Sequence, residues 1–294
     1  MPERFAEIIT TPVGVVEVEV HGVGAPVIVV HGSPGGVDAA RAMSRFLPEN
    51  AFKTICVSRP GYLGTPLDAT GRSIDHESDL LAGVLDAVGV ERAGVLAWSG
   101  GGPSAYRLAV RHPGRVSSVV SIAALSSRYI APTSTAVQRF LFGTSAGTWS
   151  MRFLSRRSPE QFIRGALESE GSLSVEELRT LTQQVMADPQ QRQLVLEVAA
   201  TVGTGGRRRA GWRNDVANFA RIDSLDLARV TCPVLLVHGD TDTDALPAYS
   251  ISAHDELPNS TLVIMDRGTH LAFYAHPRAA EVQEQARRWL SDGA

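Results

Sequence analysis

Short, mostly apolar runs alternate with stretches of helical spacing through the first 125 residues. Val27–Val30, Thr54–Ser58, Ala93–Trp98 and Val116–Ile122 are rich in β-branched residues and too short for helices. Between them, Asp75–Val88 repeats Leu80, Leu81, Val84, Leu85 and Val88 at helical intervals and stops at Gly89. Pro103–Arg111 reads as a second helix, ended by His112-Pro113-Gly114. Strands that are apolar on both faces need cover on both sides, and parallel neighbours need a helix-length crossover. The alternation therefore predicts an α/β fold, a mostly parallel sheet flanked by helices. Val13–Val20 alternates around glutamates and reads as an antiparallel strand with one wet face.

The pattern resumes at Pro233–Val237 (strand), Tyr249–Leu257 (helix), Thr261–Met265 (strand) and Pro277–Leu290 (helix). From Ala124 to Pro233 it lapses for roughly 100 residues, whereas unstructured loops seldom exceed ~15. Thr135–Phe142, Pro159–Glu168, Ser174–Met186 and Pro189–Val202 read as helices there. Ser158-Pro159, Ser174 with Glu177, and Asp188-Pro189 mark helix starts. The expectation is a core of residues 1–125 and 226–294 interrupted by a helical lid, 126–225. Gly203–Arg209 reads as a solvated turn and helix start with a basic end, Arg207–Arg209, for which an anion site is the alternative.

Composition narrows the function classes. A chain of 294 residues with 44% hydrophobic content can bury a core unaided, which excludes a disordered chain. A net charge of −3 leaves no electrostatic footprint for nucleic acid or an anionic membrane. The longest apolar-rich stretch, Val116–Leu125, is too short to span a bilayer, and Met1-Pro2-Glu3-Arg4 leads into no apolar signal core. Cys56 and Cys232 sit in separate apolar runs, without a CxxC or a Cys/His cluster of zinc spacing. Two buried thiols, a cytoplasmic location and no metal or organic cofactor are expected. No oligomeric state follows from the sequence.

The chemistry concentrates at strand ends. In Ala97-Trp98-Ser99-Gly100-Gly101 an apolar strand runs through a serine turn into a helix. A nucleophile on so sharp a turn needs tiny neighbours, and the helix N-terminus aims free N–H groups at it. His31-Gly32-Ser33-Pro34-Gly35-Gly36 follows another strand directly. The Ser33 N–H could act there with that of Gly100 on a developing oxyanion. His238-Gly239-Asp240-Thr241-Asp242-Thr243-Asp244 and Asp266-Arg267-Gly268-Thr269-His270 also close strands. Ligands of open α/β sheets bind at such ends.

These segments resemble the α/β-hydrolase superfamily, in its lidded serine-hydrolase form. HGSPGG resembles the HGxP oxyanion motif, Ser58-Arg59-Pro60-Gly61-Tyr62 the D-R-P-G-x-G segment, and AWSGGG the nucleophile elbow. The resemblance covers everything but the lid. It implies an eight-stranded sheet, with the lid inserted between strands 6 and 7. It also implies a catalytic triad of Ser99, Asp242 and His270, an oxyanion hole of Ser33 and Gly100, and a small-molecule acyl substrate. Family spacing favours Asp242 as the acid, with Asp244 and Asp240 as alternatives. Gly32 and Trp98 are candidates for the substrate pocket, Trp98 equally for packing beneath the elbow. A serine nucleophile argues against haloalkane dehalogenase or epoxide hydrolase chemistry, and a histidine base implies a rate rising between about pH 6 and 8. Lyase or cyclase chemistry, or a receptor with a residual triad, are the alternatives the fold leaves open.

Overall fold

A computed structural model describes residues 6–68, 72–132, 142–201 and 203–292. Its centre is an eight-stranded sheet in the order β1-β2-β4-β3-β5-β6-β7-β8. The strands are β1 (Glu7–Thr10), β2 (Val15–His21), β3 (Ala25–Val30), β4 (Phe52–Val57), β5 (Ala93–Trp98), β6 (Val116–Ile122), β7 (Val234–Gly239) and β8 (Ser260–Met265). The β1–β2 and β2–β4 pairs are antiparallel and all others parallel, as the alternation demands. Only the short edge strand β1, mostly exposed, goes unread in the sequence.

The helices are α1 (Val37–Met43), α2 (Ile74–Ala87), α3 (Gly102–Arg111), α4 (Ser145–Arg157), α5 (Pro159–Ser169), α6 (Val175–Ala187), α7 (Pro189–Thr201), α8 (Arg209–Phe219), α9 (Ala248–Glu256) and α10 (Ala279–Asp292). Strand periodicity divides the core. Ile28, Val30, Ile55 and Val95 face a cluster with Leu81 of α2 and Tyr106 of α3. Val27, Val29, Cys56 and Leu96 face another with Met43 of α1 and Val282 of α10. Each central strand is thus apolar throughout because both faces are covered.

Helices α4 to α8 lie between β6 and β7 in the chain. Ser174 caps α6 through a capping box with Glu177, as its sequence indicates. The reading of Thr135–Phe142 as a helix falls almost wholly outside the described residues. Helices α1, α4 and α8 carry no strong sequence signal; α1 is Ala-rich and only 7 residues long. Cys56 and Cys232 are free, buried thiols. Among the described residues no helix is long and apolar enough to cross a membrane.

Candidate active site

Ser99 follows β5 with φ at +52°, a left-handed conformation that non-glycine residues rarely adopt. A tight turn from Ser99 to Gly101 then leads into α3. The small neighbours are required by contact. A Cβ on Gly101 would lie 2.5 Å from the Val30 carbonyl oxygen, and one on Gly102 would lie 2.6 Å from that of Leu125. One on Gly100 would lie 2.7 Å from the Ser33 Cβ, so the loop after β3 abuts the turn after Ser99. The Ser99 hydroxyl makes no hydrogen bond among the described residues and borders a cavity of about 970 Å³.

The loop after β3 is locked by His31. Its Nε2 accepts the Arg59 N–H at 3.1 Å, which leaves Nδ1 to donate to the Gly32 carbonyl at 2.6 Å. Burial and the nearby Arg59 charge hold this imidazole well below the usual histidine range, so it stays neutral. The Ser33 N–H has no protein acceptor among the described residues. Its hydroxyl lies 3.0 Å from the Tyr62 hydroxyl, which donates at 2.6 Å to Asp215 Oδ2 on α8. Asp215 also takes two hydrogen bonds from the Arg59 guanidinium, whose other face binds Glu77 of α2. This buried network joins the core to the segment between β6 and β7.

Asp242 and His270 meet as their strand-end positions suggest. His270 Nδ1 lies 2.7 Å from Asp242 Oδ2, and His238 Nε2 approaches the same oxygen at 3.1 Å. Asp242 Oδ1 accepts the N–H groups of Asp244 and Ala245 at 2.9 and 3.0 Å. His238 Nε2 itself lies 2.7 Å from the Ala245 carbonyl oxygen, to which it donates. Burial would raise the Asp242 carboxyl, but the His270 charge and the hydrogen bonds of His238 and His270 outweigh it and bring it to about 2. Asp240 instead accepts the Gly268 N–H at 3.2 Å. Asp244 is exposed, 3.6 Å from His270 Nε2, on the opposite side of the ring from Asp242. The ring of Trp98 stacks on His270 with centroids 5.3 Å apart. Trp98 and Gly32 both border the cavity, so Trp98 packs under the base and lines the pocket.

Comparisons with known proteins identify the fold family. A model of the α/β hydrolase fold family matches residues 25–277. The chain belongs to that family. The solved structure of an α/β hydrolase fold protein from Nakamurella multipartita matches with a TM-score of 0.96 and 43% identity, covering 99% of this chain and 100% of that one. The uncharacterized hydrolase YcgS of Bacillus subtilis (strain 168) is 23% identical over 274 residues, covering 92% of this chain and 93% of its own. A pimeloyl-[acyl-carrier protein] methyl ester esterase of Aeromonas hydrophila is 26% identical over 273 residues, covering 90% and 95%.

Against this α/β hydrolase framework, one residue at the site has no sequence signal. Residues 170–172 follow α5 and thread between the two functional loops. Glu170 O accepts the His270 N–H at 2.9 Å, Gly171 bridges to Asp242, and the Ser172 N–H donates to Thr241 O at 2.9 Å. This strap places the Glu170 carboxyl in the cavity wall beside His270 and Asp244, with Oε2 buried and without a partner among the described residues. Burial, together with the Asp244 and Asp242 charges, raises it to about 7 against the pull of His270. Of the aromatic residues between β6 and β7, Phe142 borders the cavity, whereas Trp149 and Phe153 are exposed and stack on each other.

Proposed function

We propose that the protein hydrolyses small carboxylic esters or related acyl substrates through an acyl-enzyme on Ser99. The observation that carries this reading is the meeting at one cavity of a strained, unbonded Ser99 and a His270–Asp242 pair at 2.7 Å. Ser99 Oγ attacks the acyl carbonyl and gives its proton to His270 Nε2. The N–H groups of Ser33 and Gly100 hold the resulting oxyanion, each worth about 3 kcal/mol of barrier. Collapse breaks the bond to the alcohol, which leaves with the proton from His270. Water, deprotonated by His270, then attacks the acyl-enzyme, and Ser99 recovers its proton as the acid departs. Asp242 fixes the Nδ1–H tautomer and stabilises the imidazolium. Helices α4 to α8 act as the lid that walls the substrate site. The methyl ester esterase of Aeromonas hydrophila among the relatives supports the same reaction class.

The base carries an unusual electrostatic load. Burial disfavours the His270 imidazolium, but the charge and hydrogen bond of Asp242 outweigh it. Asp244 and Glu170 add to this, and His270 is raised to about 10. Only the neutral ring can accept the serine proton, so kcat/KM rises as pH rises toward that value. The limb expected near pH 6 to 8 therefore moves to alkaline pH. Assays with p-nitrophenyl esters of increasing chain length test both points. Wild type turns over the short esters with a rate still climbing above pH 8. Ser99→Ala loses about 10⁴-fold or more, and Glu170→Gln moves the limb downward. Equal rates for wild type and Ser99→Ala would remove the proposal.

A further inference from the structure

The basic run Arg207–Arg209 divides its work. Arg207 lies 3.8 Å from Glu17, and Arg208 donates to the Gly35 carbonyl and pairs with Asp38, so these two dock α8 on the core. The Arg209 side chain has no ion pair or hydrogen bond among the described residues, and neither has that of Arg213. Four positions apart, they share one face of α8, and both border the cavity that holds Ser99. The carboxylates not described are Glu3 and the side chain of Asp292, at the two ends of the chain, and the stretch 133–141 contains none. Glu170 and Asp244 also border the cavity, beside His270, but pair with neither arginine. Much of the remaining wall is apolar, including Leu125, Val216 and Phe219. The pocket is therefore polarised, acidic at the base and cationic along α8. Two guanidiniums over an apolar wall match a planar anion carried on a hydrocarbon chain.

We infer that Arg209 and Arg213 form an anion subsite, and that the preferred substrates are esters whose acyl chain ends in a carboxylate. This rests on Ser99 being the nucleophile. The carboxylate belongs on the acyl side because the departing alcohol takes its proton from His270, where Asp244 and Glu170 repel an anion. The cations of α8 then set the orientation, with the ester innermost.

Monoethyl adipate and ethyl hexanoate share a six-carbon acyl chain and differ in its terminal carboxylate, and proton release follows both. Wild type is expected to prefer the half-ester by at least about tenfold in kcat/KM, mainly through KM and less so at high salt. In Arg209→Ala/Arg213→Ala the ratio falls to near one, and the double lysine variant recovers part of it. A preference that is absent from wild type, or that survives the double alanine change, overturns the subsite. Calorimetry on Ser99→Ala separates this from the hydrolase reading. Adipate binding should weaken about tenfold or more when both arginines are removed. If neither ester is hydrolysed yet adipate binds through the arginines, the subsite stands and the hydrolase reading fails. No arginine-dependent adipate binding overturns it, and inorganic phosphate binding more tightly than adipate overturns the assignment to carboxylate.

Discussion

Asp242→Asn is expected to lower kcat about 10⁴-fold, while Asp244→Asn stays within about tenfold of wild type. The geometry separates the two acids. Asp242 accepts the His270 Nδ1 hydrogen bond at 2.7 Å and is held as a carboxylate by two backbone N–H donors, with His238 Nε2 nearby at 3.1 Å. An amide there offers the imidazole either a competing N–H or a neutral oxygen. It fails to fix the tautomer that leaves Nε2 free to face Ser99. Asp244 sits at the Nε2 side, exposed, at 3.6 Å. Its removal subtracts one charge that favours the imidazolium, so the alkaline limb should move slightly down. Ester hydrolysis by the two single variants decides the matter. A large loss confined to Asp244→Asn would make it the acid.

The second large effect is on folding. Arg59 is 2% exposed and forms short hydrogen bonds with Glu77 and Asp215, both also buried. Arg59→Met keeps the chain's bulk but leaves two carboxylates facing each other without a cation. Breaking a buried pair this way costs about 3–5 kcal/mol. Asp215 is already pushed up to about 6 by burial, against the pull of Arg59. Without Arg59 its pKa rises further, so the folded carboxyl lies above its unfolded value. Proton binding then favours the folded state, and the loss of stability should be larger at pH 8 than at pH 5. Urea denaturation of both proteins at the two pH values measures this. Because Asp215 lies on α8 and holds Tyr62 against Ser33, the same change should also reduce turnover by the molecules that remain folded. A destabilisation below about 1 kcal/mol would mean that the network is replaceable.

The legibility of the chain follows the range of the interactions. Strands β3 to β7 announce themselves because burial on both faces forces unbroken apolar runs. Ser99, Asp242 and His270 were readable because a sheet delivers successive strand ends to one rim. Glu170 was not, since long-range backbone contacts of residues 170–172 with Thr241, Asp242 and His270 bring that segment to the site. Nor was Asp215, whose partner Arg59 is 156 positions away. A helix surface shows which residues face inward but not what they meet. Ser58 illustrates the intermediate case. It stands at the aspartate position of the D-R-P-G-x-G motif that its segment resembles. Its hydroxyl accepts the Val37 N–H and donates to Glu17, fixing the start of α1 rather than serving the site. The solvated reading of Arg207–Arg209 likewise missed the contacts of Arg207 and Arg208, which depend on Glu17 and Asp38 in the distant core.

The proposed reaction requires Ser99 to be an activated nucleophile. Incubation with a fluorophosphonate followed by peptide mass spectrometry tests it most directly. One covalent adduct is expected, on the peptide carrying Ser99, formed by wild type, strongly slowed in Asp242→Asn and missing from Ser99→Ala. An adduct on another residue, or no adduct on a folded protein, would contradict it.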